Sequence, residues 1–132
     1  MKTLVLGASP NPERYAYKAV RSLIAHGHDV LPVGIKKGNI QGLEIMNGFS
    51  EIKDIDTVTL YLNAKNQQNW YDYIIALHPR RIIFNPGAEN TDLEGLAQSN
   101  GIETINACTL VMLATGTFES KENSNQKLQR DI

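Results

Sequence analysis

Short runs of β-branched and other apolar residues alternate along the chain with longer segments in which apolar residues recur three and four apart. The runs Thr3–Leu6, Asp29–Val33, Thr57–Leu62, Arg81–Phe84 and Glu103–Ile105 read as five strands. Between the first two, Ala16, Ala19, Val20, Leu23 and Ile24 form one stripe, which predicts a helix over Pro12–His26 closed by a left-handed Gly27. A second helix is predicted over Gln67–Leu77, with Trp70, Tyr73, Ile74 and Leu77 on one side, ending ahead of Pro79. A third starts at Thr91, where Thr91 and Glu94 have capping-box spacing, and stops at Asn100-Gly101. Strands alternating with helices in this way predict an α/β domain of three layers around a five-stranded, mainly parallel sheet.

The stretch 34–52 has no sustained period and is rich in Gly, Asn and Lys, which predicts a loop holding a small hairpin and a short helix near Phe49. Thr109–Ala114 is apolar enough for a last short helix or strand, whereas residues 119–132 are polar and expected to fray. One domain over residues 1–118 with a polar tail is the expected organisation.

Composition narrows the function. At 132 residues the chain has no room for the separate substrate half of an ordinary dehydrogenase. Hydrophobic residues make up 42% and the net charge is -1, so a core can form and no general electrostatic pull toward nucleic acid or membrane exists. The single cysteine, Cys108, excludes an internal disulfide and a multi-cysteine metal site and fits a reducing compartment, so the cytoplasm is the expected location. The apolar start breaks at Gly7, short of a secretory core, and no run reaches the ~18 to 20 apolar residues of a membrane span. A homodimer is the expectation from domain size alone.

The segment Leu6-Gly7-Ala8-Ser9-Pro10-Asn11-Pro12-Glu13-Arg14 lies between the first strand and first helix, where a doubly wound sheet places its phosphate-binding turn. Gly7 permits the turn, Asn11 suits a helix cap and Pro12 a first helical residue. The helix start would then offer free amides to an anion, with Ser9, Asn11 and Arg14 as side-chain donors. In the G-x-G-x-x-G register of dinucleotide sites, however, the second and third glycines are Ser9 and Pro12, which crowds a pyrophosphate approach. The second strand ends Val30-Leu31-Pro32-Val33-Gly34 without the acid that binds a ribose 2'-hydroxyl, and Lys36-Lys37 follow. Cations at that position suggest a phosphorylated ribose, as in coenzyme A or, alternatively, NADP. A glycine turn capped by Asn-Pro also opens many helices that bind nothing, and a lysine pair in a loop is usually solvated; the joint placement at one sheet edge is what favours a site.

Three stretches resemble the small stand-alone coenzyme A-binding proteins, which are similar to the N-terminal domain of the succinyl-CoA synthetase α subunit. They are Gly7-Ala8-Ser9-Pro10-Asn11-Pro12-Glu13-Arg14 with Tyr17, then His28–Val33 with Gly34-Ile35-Lys36, where the family usually has Asn-Pro-Lys, and last Asn85-Pro86-Gly87-Ala88-Glu89-Asn90 with Gly101-Ile102 and Asn106-Ala107-Cys108. The resemblance covers about Lys2–Phe118. It implies a Rossmann-like domain holding coenzyme A across the strand C-termini as a non-catalytic binding module. By position, Gly7, Ala8, Ser9, Asn11 and Arg14 would lie near the pyrophosphate, Val33 and Lys36 near the 3'-phosphate, Asn63-Ala64-Lys65 near the adenine, and Pro86 and Gly87 in the closing turn.

Catalytic candidates are few. His26 and His28 flank a helix end and His78 precedes Pro79 at another, positions that suit a helix dipole without implying catalysis. Cys108 reads most simply as a small hydrophobe; alternatively its thiolate would exchange with a coenzyme A thiol. The enzymatic alternative is therefore an NADP-linked or acyl-transferring protein that uses Cys108 or a partner chain.

Overall fold

In the computed structural model, which describes residues 2–119, β1 (Lys2–Leu6) leads to α1 (Tyr15–Ala25) and β2 (Asp29–Val33). A small hairpin of β3 (Asn39–Ile40) and β4 (Leu43–Glu44) follows, then β5 (Ile55–Leu60) and α2 (Ala64–Gln67). A 3-10 turn over Gln68–Trp70 joins α2 to α3 (Tyr71–Leu77), and β6 (Arg81–Phe84), α4 (Thr91–Ser99), β7 (Glu103–Asn106) and α5 (Thr109–Ala114) complete the described chain. The polar stretch 119–132, apart from Glu119, lies outside the described residues.

The five long strands form one sheet in the order β2-β1-β5-β6-β7, and every pairing is parallel. Both faces are covered, as a parallel sheet requires, and the side-chain period of two sorts them. Leu4, Leu6, Val58, Leu60, Ile82 and Phe84 point to the layer of α3 and α4, where they bury against Ile74, Leu93 and Ala97. Val5, Val30 and Ile83 point to the layer of α1 and α5, against Ala16, Val20, Leu23, Met112 and Leu113. The domain is therefore the predicted Rossmann-like α/β sandwich. No helix among the described residues is long and apolar enough to cross a membrane.

Local chemistry moves several predicted boundaries. The first helix begins at Tyr15, not Pro12, because residues 11–14 close their own turn. The Arg14 amide donates to the Asn11 carbonyl at 3.1 Å and the Glu13 amide to Asn11 Oδ1 at 3.0 Å. Asn followed by Pro thus serves as the first two positions of a β-turn rather than as a cap and first helical residue. In α4 the cap is Asn90, whose Oδ1 accepts from the Asp92 and Leu93 amides, so Thr91 is already helical and the Thr91/Glu94 box does not form.

The second helix begins earlier than predicted and is interrupted: Asn63 caps α2 by accepting from the Asn66 amide, and the 3-10 turn intervenes before α3. Its C-terminal residue His78 is left-handed at φ 48°. The third strand ends at Leu60, which leaves Tyr61 and Leu62 outside it. The predicted hairpin is present, turning on Gln41 and Gly42 at φ 49° and 87°, the left-handed pair that a two-residue turn requires. No helix forms at Phe49; residues 47–54 are irregular, and Phe49 packs on Trp70 instead.

Candidate functional site

The chain leaves β1 toward the α1 layer and leaves β5 toward the α3 layer, so the loops after these adjacent strands diverge. A crevice at the C-terminal ends of strands where connections diverge is the usual ligand position in an open parallel sheet. A cleft of about 910 Å³ opens there, floored by Leu6, Gly7, Tyr61 and Leu62. That volume lies within the range of small-molecule and cofactor sites, roughly 300 to 1,000 Å³.

The turn after β1 is clamped onto the end of β2. The Val33 carbonyl accepts from the Gly7 amide at 2.8 Å and the Ala8 amide at 2.9 Å. Gly7 sits at φ 102°, and a Cβ on Gly34 would overlap the Ala8 carbonyl oxygen, so both glycines are dictated by the close approach of these two loops. The amides of Gly7 and Ala8, sequence candidates for anion binding, are therefore committed to Val33. Val33 itself is buried, and its part in the site is this carbonyl.

The unsatisfied donors lie further along. Helix α1 is preceded by Arg14 in extended conformation, with no side-chain cap and no acidic residue in its first turn. The amides of Tyr15, Ala16 and Tyr17 have no intrahelical acceptor, and Tyr15 and Ala16 line the cleft. Arg14 and the Ser9 side of the turn line it as well, and the Ser9 hydroxyl, which accepts from the Asn11 amide at 3.1 Å, keeps its own proton to donate. Across the cleft stand Lys36, after β2, and Lys65, on α2. Among the described residues Glu13 is the single acid of the lining, against the three cations Arg14, Lys36 and Lys65. An uncapped helix start with surrounding cations is chemically suited to an anion.

Of the sequence candidates, Gly7, Ala8, Ser9, Arg14, Lys36 and Pro86 come together around this cleft. Asn11, Val33, Asn63 and Gly87 do not line it. Asn11 and Asn63 spend their side-chain oxygens on local turns, and the Gly87 amide donates to Glu89 at 2.9 Å. The closing turn is held by Asn85, buried, which donates to Thr59 Oγ1 at 2.6 Å and the Leu60 carbonyl at 2.9 Å and accepts from the Thr109 amide. Buried Gln67 ties the other wall, donating to the carbonyls of Leu62 and Ala88 and accepting from Asn90.

Sequence reasoning missed Tyr15, Ile35, Tyr61 and Trp70 as cleft residues. Tyr15 and Ile35 are 69% and 88% exposed, so an apolar rim stands open beside the anion site. The Tyr61 phenol is buried without a hydrogen bond of good geometry: Thr109, the hydroxyl beside it, is already engaged with Thr59 at 2.8 Å. Burial first, and neighbouring Cys108 second, push the Tyr61 phenol well above its ordinary value, only partly offset by Thr109, so it stays protonated. Cys108 heads α5, half-buried, and is not among the residues lining the cleft. None of the histidines lines it either: His26 bonds the Ser22 carbonyl and His28 pairs with Glu119.

Comparison with known proteins bears on the family and the fold. The sequence profile of the family described as CoA binding domain matches residues 1–114. Among solved structures, the chain is similar to the crystal structure of an uncharacterized protein at 54% identity and a TM-score of 0.87, over 89% of this chain and 97% of that one. It is also similar to a hypothetical protein from Pyrococcus horikoshii OT3, at 28% identity and a TM-score of 0.74 over 81% and 77% of the two chains. The dinucleotide forming acetyl-coenzyme A synthetase 1 of Ca. Korarchaeum cryptofilum, in complex with phosphate and ADP, shares the fold at 20% identity and a TM-score of 0.65, over 80% of this chain and 25% of that larger one. No curated protein matches. With the profile spanning nearly all the described residues, the chain belongs to the CoA-binding domain family.

Proposed function

We propose that the cleft binds coenzyme A or an acyl-CoA, with the diphosphate at the start of α1 and the 3'-phosphate near Lys36, and that the domain is a binding module rather than a catalyst. The observation that carries this reading is the uncapped helix start, whose first residues, Tyr15 and Ala16, line a cleft bordered by Arg14, Lys36 and Lys65. Coenzyme A is a polyanion, and each of its phosphate groups gains from fixed amide dipoles and cations that need no reorganisation. The cleft's size suits a nucleotide with an extended arm, and family membership supports coenzyme A as the class. Gly7, Ala8 and Val33 would act through the backbone clamp that shapes the turn, while Ser9 and Arg14 would supply side-chain donors. Asn11, Asn63, Pro86 and Gly87 would shape the surrounding turns.

Among the described residues the lining contains no nucleophile paired with a base, and Cys108 does not line the cleft. Calorimetric titration with coenzyme A, dephospho-coenzyme A, NADP and NAD tests the assignment. Coenzyme A is expected to bind tightest; tighter binding of NADP would transfer the site to that cofactor.

A further inference from the structure

Trp70 is the only tryptophan in the chain, and no feature of the sequence assigns it to the site. It is half-buried at the end of the 3-10 turn. Its ring packs on Phe49, centroids 4.5 Å apart, and on Tyr73, 5.6 Å apart, and the residue lines the cleft. The trio is braced: Phe49 also meets Tyr73 edge-on at 5.5 Å, and the Tyr73 hydroxyl donates to the Ser50 carbonyl, which fastens the irregular segment 47–54 to α3.

Two of the cleft's three cations come from elements adjoining Trp70 or following β2. Lys65 begins the same helical segment that carries Trp70, and Lys36 and the exposed Ile35 follow β2. Pro86, which follows β6, lines the same cleft. An indole held by other aromatics, with an aliphatic side chain and two ammonium groups in the same cleft, matches a purine base that carries a phosphate on its ribose. Base–aromatic stacking needs only a fixed ring face and is tolerant of detail. The pantetheine arm, by contrast, is uncharged beyond its phosphate and gains nothing from the lysines.

We infer that Trp70, braced by Phe49 and Tyr73, is the stacking platform for the adenine of the bound nucleotide and sets preference for the base-bearing half of the ligand. This rests on the cleft being the coenzyme A site. It goes further by adding to the segment 63–65, which the resemblance puts near the adenine, a stacking residue that the resemblance does not name.

The fluorescence of Trp70 provides the test, because no other tryptophan contributes to it. Intact protein is titrated with adenosine 3',5'-bisphosphate, with pantetheine and with coenzyme A, following emission on red-edge excitation while thermal unfolding reports binding independently. The bisphosphate and coenzyme A are expected to change the emission saturably and pantetheine to leave it unmoved. Trp70→Leu is expected to weaken both adenine ligands roughly 5- to 100-fold, with Trp70→Phe recovering part of the loss. The wild-type emission needs no variant to fold. If coenzyme A raises the melting temperature but the emission does not move, or moves with pantetheine and not with the bisphosphate, the platform is overturned while the coenzyme A reading stands. If neither coenzyme A nor the bisphosphate changes melting or emission, both are overturned.

Discussion

The carbonyl oxygen of Ala8 occupies the space that a β-carbon on Gly34 would need. Two loops from adjacent strands are thereby pressed together, and the Val33 carbonyl completes the contact by accepting from both Gly7 and Ala8. The position of the first turn, and of the helix start beyond it, depends on this contact.

Gly34→Ala should therefore damage both stability and binding. Backbone cannot yield as a flexible side chain would, so the cost expected is that of overpacking, about 1–3 kcal/mol. Urea unfolding of the variant against the parent measures it, and a change within about 0.5 kcal/mol would show that the loops part freely.

Lys36 lines the cleft and Lys37 does not, although the sequence presents them as a pair. A charge-assisted hydrogen bond is worth about 1.5–3 kcal/mol, so Lys36→Ala should cut the preference for coenzyme A over dephospho-coenzyme A by roughly 10- to 100-fold. Lys37→Ala should leave that preference within about twofold. Calorimetric titration of both variants with both ligands reads the difference.

Asp56 and Arg80 face each other across the N-terminal ends of β5 and β6, with Nε–Oδ1 and Nη2–Oδ2 contacts of 2.9 and 3.1 Å. Burial alone would raise the Asp56 carboxyl, but hydrogen bonds from Arg80 and Thr57, with the charges of Arg80 and Arg81, hold it below its ordinary value. A carboxyl that is more acidic in the folded state contributes stability above the unfolded value, about 3.9 for Asp, and loses it as pH falls through the folded value. Asp56→Asn should be less stable at neutral pH by about 1–2 kcal/mol and should lose less on acidification. Melting temperature measured from neutral to acidic pH would show the two curves converging; parallel curves would count against the pair.

Phe118 closes the lower end of the α1 layer. It is buried, its carbonyl accepts from Arg81 Nη2 at 3.0 Å, and its ring lies 4.3 Å beneath the Arg81 guanidinium and 5.0 Å from His28. Arg81 is itself fully buried and spends its Nε on Thr57, so the aromatic face and the carbonyl are much of what compensates its lost hydration. Phe118→Ala should cost about 3–5 kcal/mol in urea unfolding, with coenzyme A affinity changed far less, because the residue lies at the end of the sheet opposite the cleft. A cost below about 1 kcal/mol would place the ring outside the cooperative core.

The layered α/β fold was legible because its strands are short apolar runs and α1 carries a continuous stripe, Ala16 to Leu23, that only one helical face can bury. Half of the site was legible for the same reason: the turn after β1, Lys36 and Pro86 follow directly from strand ends. Boundaries set by side chains bonding to their own backbone were not. Asn11 can cap a helix or open a turn, and only the path of the chain toward Val33 decides between them. The spacing of Trp70, Tyr73, Ile74 and Leu77 puts Trp70 on the apolar side of a continuous helix. Its place on the cleft follows a 3-10 turn that no periodicity announces, next to Gln67, which bonds locally to Leu62 and at long range to Ala88.

The most direct test is the melting temperature of the freshly purified domain with and without coenzyme A. Ligand at ~100 times its dissociation constant stabilises a one-site protein by about 2.7 kcal/mol, which is a shift of several degrees at this size. The account predicts such a shift with coenzyme A and a smaller one with dephospho-coenzyme A; an unchanged melting temperature at millimolar coenzyme A would contradict it.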